Sequence, residues 1–219
     1  MHTIYGIVIG PLAWLAGAIF VFGLIYRLVS MYLLAKKRDP QVLEYMDLKY
    51  GLRSIFRWSI PFMPVNSRLH PVMTVVTFLF HICLILTPLF LMAHVVLWSY
   101  YHGISYGTLP DSVADVMTMV VILACLFFAG RRIYLRQVRY VTTYKDWLIL
   151  ALVAFPFVTG FLAYHQIGNY KFMIILHILS GELWLAAIPF TRLSHMVMAP
   201  FTRGYIGSEF GAVRKARDW

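Results

Sequence analysis

Five apolar runs alternate with polar, cation-rich segments along the 219-residue chain. They lie at about Ile4–Leu34, Val72–Trp98, Val113–Ala129, Trp147–Tyr164 and Phe172–Phe190. Each reaches the roughly 17–25 residues of helix needed to cross a bilayer's hydrocarbon core. The pattern predicts an all-α integral membrane protein, a single domain over 1–219 with five transmembrane helices. The longest polar stretch, a basic loop at 35–70, leaves no room for a soluble catalytic domain.

Composition agrees with this. Hydrophobic residues make up 61% of the chain and charged residues 13%, against about 25% charged in soluble domains. The net charge of +10 raises nucleic acid as a partner, but its placement points to the membrane instead. Lys36, Lys37, Arg38, Lys49, Arg53, Arg57 and Arg68 fall between the first two helices. Arg131, Arg132, Arg136, Arg139 and Lys145 fall between the third and fourth, and Arg192, Arg203, Arg214, Lys215 and Arg217 after the fifth. Lys171 is the cation of the opposite loops. The positive-inside rule then puts the N-terminus outside and the C-terminus in the cytoplasm.

The first helix has no basic n-region and no small-residue cleavage site, and reads as a retained anchor, not a signal peptide. Its Ala16-Gly17-Ala18 and Gly23 suit close helix packing, and Arg27 either snorkels or meets a cofactor carboxylate. Between Lys36 and His70, prolines 40, 61 and 64 flank an expected amphipathic helix at about Val42 to Trp58, fit for lipid or a soluble partner. Cys83 and Cys125 stand alone in separate apolar helices, and the chain lacks C-x-x-C-H for covalent haem.

The chemistry lies in histidines within apolar runs. His177 and His195 bracket a stretch that, as one continuous helix, spans five turns and holds both imidazoles on one face roughly 27 Å apart in depth. Ionisable groups in a span are costly and usually functional, and imidazole is a common axial ligand of haem iron. His81 and His94 on helix two supply the counterparts, with Pro88 between them able to rotate one half of the helix. Since helix two runs outward and helix five inward, His81 pairs with His195 on a cytoplasmic-side haem and His94 with His177 on an outer one. His70 and His81 form a competing pair on helix two, almost on one face.

Other polar groups are placed by the same topology. His102, Asp111, Asp115 and His165 lie on the outer side, where an aromatic belt is the plain explanation of the loop from Trp98 to Asp111. Glu182, inside the fifth span, suits proton handling or a hydrogen bond to a ligand. Arg131, Arg132 and Arg192 suit haem propionates at the cytoplasmic face.

With these residues placed, the chain resembles the cytochrome b subunit of respiratory nitrate reductase, the gamma-subunit family. His177-x-x-x-Gly181 with Pro189-Phe-Thr-Arg-Leu-Ser-His195 is similar to that family's ligand helix. Phe80-His81, Ala93-His94, Leu109-Pro110, Arg131-Arg132, Arg139, Thr142-Thr143 with Asp146, and Ala16-Gly17-Ala18 match its other motifs. The resemblance favours His81 and His94 over His70. It implies two haem b groups and electron transfer between menaquinol on the outer side and an iron–sulfur partner in the cytoplasm, within a prokaryotic cytoplasmic (inner) membrane.

On this reading the chain is a quinone-reactive subunit of a larger oxidoreductase complex of anaerobic respiration, not a stand-alone enzyme. Where the family carries a quinol-associated lysine after the Leu-Pro loop, this chain has Ala114, so His102, Asp111, Asp115, His165 and Glu182 become the quinone-site candidates. The longer first cytoplasmic loop points to a heterodisulfide-reductase-like partner, with a periplasmic cytochrome c and membrane lipid as further partners, and no nucleic acid. The alternatives are a proton or metal transporter using the same histidines and a passive anchor for a cytoplasmic enzyme.

Overall fold

The computed structural model describes residues 2–219, and among them every regular element is helical. Helix α1 (Ala13–Arg38) follows a π-helical turn at Val8–Leu12. Pro11, which has no N–H to give the ladder, sits inside that turn. Next come α2 (Leu48–Trp58), α3 (Pro71–Phe90), α4 (Met92–His102), α5 (Asp111–Tyr134), α6 (Tyr144–Tyr164), α7 (Tyr170–Ala187) and α8 (His195–Ser208).

Five stretches are long and apolar enough to cross a membrane: Ile4–Arg38, Pro71–Phe90, Asp111–Tyr134, Tyr144–Tyr164 and Tyr170–Phe190. They coincide with the five runs of the sequence. Their outward faces are oily: Phe22, Leu126 and Leu148 are 70%, 63% and 62% exposed. A water-soluble surface does not carry such residues in quantity, and a lipid-facing one does. These features mark a multi-pass membrane protein.

Two expected helices are broken. The second run is not one helix from Val72 to Trp98. It stops at Leu91, whose ψ of 130° is extended, and restarts as α4. The stretch from His177 to His195 is not continuous either. The α-helix ends at Ala187, a 3-10 turn holds Ile188–Phe190, Thr191 is extended (φ −120°, ψ −178°), and another 3-10 turn leads into α8 at His195. Pro189 cannot donate to the ladder. Beyond it, Thr191 Oγ1 accepts from Leu193 N (3.3 Å) and Ser194 Oγ donates to Thr191 O (2.9 Å), local bonds that compete with helix. His177 and His195 therefore do not lie on the one continuous helix that the sequence pattern suggested.

Two compact units form within the chain, residues 75–181 and residues 1–74 with 182–219. In the first, α5 packs on α6 around Val121, Ala124, Val153 and Phe157, all buried. A capping box at Thr143 and Asp146 starts α6, and Asp146 also faces Arg132 of α5 (3.9 Å). In the second unit Gly23 of α1 approaches Pro189 so closely that a β-carbon there would lie 2.7 Å from its ring.

The second unit also holds a crossing of small residues. Helix α2, shorter than expected because Asp47 caps it (Tyr50 N to Asp47 Oδ1, 3.0 Å), lays Gly51 and Ser54 on Gly204, Gly207 and Ser208 of α8. Ser54 and Ser208 have no exposed surface at all. Ser208 Oγ donates to Gly204 O (2.7 Å) and accepts from Asp47 N (3.0 Å), so the close approach leaves that hydroxyl satisfied.

Candidate functional site

The last turn of α3 has four carbonyls: Thr87 O still closes a ladder bond, and the break at Leu91 takes the other three out of the ladder. Each finds a different donor. Thr87 O accepts from Leu91 N (2.9 Å), Pro88 O from His94 Nδ1 (2.8 Å), Leu89 O from the Tyr106 hydroxyl (2.9 Å) and Phe90 O from Leu109 N (2.9 Å). His94 thus sits just past the break with its ring held by the helix it left. Bonding at Nδ1 fixes the tautomer and makes Nε2 the nitrogen available to a metal.

His177 reaches the same state by another route. Its Nδ1 donates to the carbonyl of Pro156 on α6 (2.8 Å). Gly160, one turn further along α6, makes room for the ring: a β-carbon there would lie 2.8 Å from Cε1 and 2.9 Å from Nδ1 of His177. Thr159 and Ser180, both buried, flank the contact, and Ser180 Oγ donates to His177 O (2.8 Å).

The two imidazoles lie near-parallel across a gap. Their ring centroids are 5.9 Å apart and their planes differ by 9°. Two imidazoles, each with its nitrogen about 2 Å from a shared metal ion and roughly 1 Å from its own centroid, hold their centroids on the order of 6 Å apart. Bound Nδ1 atoms, near-parallel rings, that separation and the glycine that seats one ring leave two Nε2 atoms that could hold a metal centre.

His81 and His195 share the Nδ1 pattern, donating to Thr77 O (2.7 Å) and Arg192 O (2.9 Å). Phe80, which meets the edge of His81 at 5.2 Å, also packs on Phe128 of α5. His81 belongs to the unit of residues 75–181 and His195 to the other. His70 is exposed at the end of a short helix, Val65–Leu69, where its carbonyl accepts from Thr74 N (2.9 Å).

Another histidine is wired differently. His165, at the end of α6, places Nε2 at 3.2 Å from each carboxylate oxygen of Asp115 on α5. The neighbouring Tyr164 hydroxyl lies beside the Asp111 carboxylate, one turn before Asp115. The structure therefore brings together three of the sequence candidates, Asp111, Asp115 and His165, and adds Tyr164. His102 packs against Trp98, with ring centroids 4.3 Å apart. Ala114, one residue before Asp115, is 2% exposed. Glu182 has both carboxylate oxygens buried with no hydrogen-bond partner among the described residues.

Of the arginines, Arg132 spends its guanidinium on Thr142 Oγ1 (3.3 Å) and Asp146, tying α5 to the start of α6. Arg131 is half-buried and Arg192 exposed. Sequence reasoning missed Gly160, Tyr164 and Tyr106 as parts of the site. The signal for Gly160 was its place one helical turn after Pro156, so that a helix groove and a proline carbonyl fall on the same face.

No family model matches the chain. A protein of Nitratidesulfovibrio vulgaris (strain Hildenborough), named simply "Protein", is 39% identical over 214 residues, covering 96% of this chain and 95% of its own.

Proposed function

We propose, for a chain that belongs to the same family as the Nitratidesulfovibrio vulgaris protein, a role as a dihaem b membrane subunit. It passes electrons between the menaquinone pool and a cytoplasmic iron–sulfur, heterodisulfide-reductase-like subunit of a respiratory complex. The observation that carries this reading is the His94–His177 pair, parallel to 9° at 5.9 Å with both Nδ1 atoms committed to backbone carbonyls.

His94 and His177 would hold one haem on the outer side, and the sequence resemblance assigns a second, cytoplasmic-side haem to His81 and His195. When bound, haem b supplies a reversible one-electron couple whose potential follows its axial ligands and their hydrogen bonds. The chain's own contribution is positional. The carbonyls of Pro88 and Pro156 orient the rings and raise their basicity. Arg131, Arg132 and Arg192 would supply the cations for propionates, and Arg132 also faces Asp146. The distribution of Lys and Arg supports an outer N-terminus, a cytoplasmic C-terminus and a prokaryotic cytoplasmic membrane.

Oxidation of menaquinol releases protons as well as electrons, so its site needs groups that take them. The ends of α5 and α6 carry two such pairs, His165 with Asp115 and Tyr164 with Asp111. They support a quinone site there, where the nitrate reductase gamma-subunit family that the sequence resembles has a lysine, with His102 and Glu182 as the remaining candidates.

The test is direct. The full chain purified with its lipids should show reduced b-type bands and about two haems by pyridine haemochrome, as four placed histidines require. His94→Ala and His177→Ala should each remove the same haem. A lipid-replete, partner-bound preparation with no haem overturns the reading.

A further inference from the structure

Helix α2 divides into three faces. Gly51 and Ser54 turn toward α8. Opposite them, Leu48, Leu52 and Phe56 recur every fourth residue and are 77%, 55% and 63% exposed. One residue later, about 100° around the helix, Lys49, Arg53 and Arg57 form a parallel row. No acidic residue occurs from Leu48 to Trp58. Asp47, just before the helix, is spent on the caps, accepting from Tyr50 N. Asp218 is turned to the far face, bonded to Ser54 Oγ and near Arg203 (3.9 Å).

We propose that α2 is a lipid-docking helix that lies flat on the cytoplasmic leaflet, its Leu48–Leu52–Phe56 row inserted among acyl chains and its Lys49–Arg53–Arg57 row set against anionic phospholipid headgroups. An apolar row bordered by cations alone is the charge complement of an anionic bilayer surface. Arg53 and Arg57 lie over the ring of Trp219 (4.7 and 5.4 Å), and tryptophan favours the headgroup level. The helix is also never far from a bilayer. Lys36, Lys37 and Arg38 close the first membrane-length helix, and only a short tether containing the turn Gln41–Glu44 separates them from Leu48. The small-residue crossing with α8 keeps this face fixed outward.

Spin labels at Leu48→Cys, Leu52→Cys and Phe56→Cys, introduced singly into the full chain, test the proposal. The native thiols Cys83 and Cys125 are buried, and the three replaced side chains are exposed, so folding should survive. In nanodiscs of phosphatidylglycerol and phosphatidylcholine, all three labels should be several-fold more accessible to oxygen relative to a nickel chelate than a label at Glu44→Cys. In discs of phosphatidylcholine alone at high salt, that preference should shrink. Labels as open to nickel as Glu44→Cys in both lipids overturn the proposal. Labels shielded from both agents only when a partner protein is bound also overturn it and assign the row to a protein interface.

Discussion

Gly160 and His177 occupy one another's space: the missing β-carbon of the glycine is what lets the imidazole lie against α6 and reach the Pro156 carbonyl. Gly160→Ala should therefore displace the ring or prise α7 from α6, at about 1–3 kcal/mol for an overpacked contact. The expected readout is loss of the outer haem with the other retained. Gly130→Ala, whose β-carbon meets nothing within 4 Å, should leave the spectrum unchanged. Equal spectra for both variants would remove Gly160 from the site.

Tyr106→Phe deletes the donor to Leu89 O at a broken helix end. A lost hydrogen bond of this kind costs about 1 kcal/mol. A thermal melt in detergent should show the drop, and the His94-linked haem band should broaden or shift, because the same turn holds that ring.

Asp115→Asn and His165→Ala should slow menaquinol-driven haem reduction while leaving haem content intact, since neither is placed as an iron ligand. Tyr164→Phe should act in the same direction through Asp111. If all three variants reduce haem at the parent rate, the proton-accepting groups lie elsewhere, with Glu182 next to be tested.

Gly207→Val should open the α2–α8 crossing, because even a β-carbon at this position would lie 2.7 Å from Tyr50 O. The expected result is faster proteolysis within residues 41–62 at unchanged haem content. An unchanged digestion pattern would show that the crossing does not hold the segment.

Asp146→Asn removes the carboxylate that caps α6 and faces Arg132. Loss of a capping contact costs about 0.5–2 kcal/mol, and the partly buried Nε of Arg132 gains no new partner. Chemical denaturation should register the loss. Arg132→Gln made together with it should recover part, because it removes the stranded charge.

The five membrane-length helices could be read from the chain because apolar length alone specifies them. Their interruptions could not. At the first, Pro88 stands inside α3 while the backbone yields only at Leu91, so the proline located the region and not the residue. At the second, Pro189 lies in an apolar run that composition treats as uninterrupted, and the decisive bonds come from the small hydroxyls of Thr191 and Ser194. Asp115 and His165 were expected on one side of the membrane from topology. That they touch depends on the rotation of α5 against α6, which no spacing within either helix encodes. Tyr164 went unnoticed because tyrosines at helix ends are common at membrane interfaces whether or not they act. The glycines at 204, 207 and 211 were passed over in a basic tail, since a small-residue row has meaning only once its partner helix is known.

The open turn at the end of α3 also bears on how such a protein changes over generations. Four carbonyls there rely on donors drawn from four places in the chain, and two of those donors, His94 and Tyr106, are side chains. A descendant that loses either one leaves a carbonyl without its donor, at about 1 kcal/mol. The two positions are thus bound to a common inheritance: the loop between Gly103 and Pro110 tolerates insertion and drift only while some residue still delivers a donor to Leu89, and His94 keeps its bearing only while that turn stays closed.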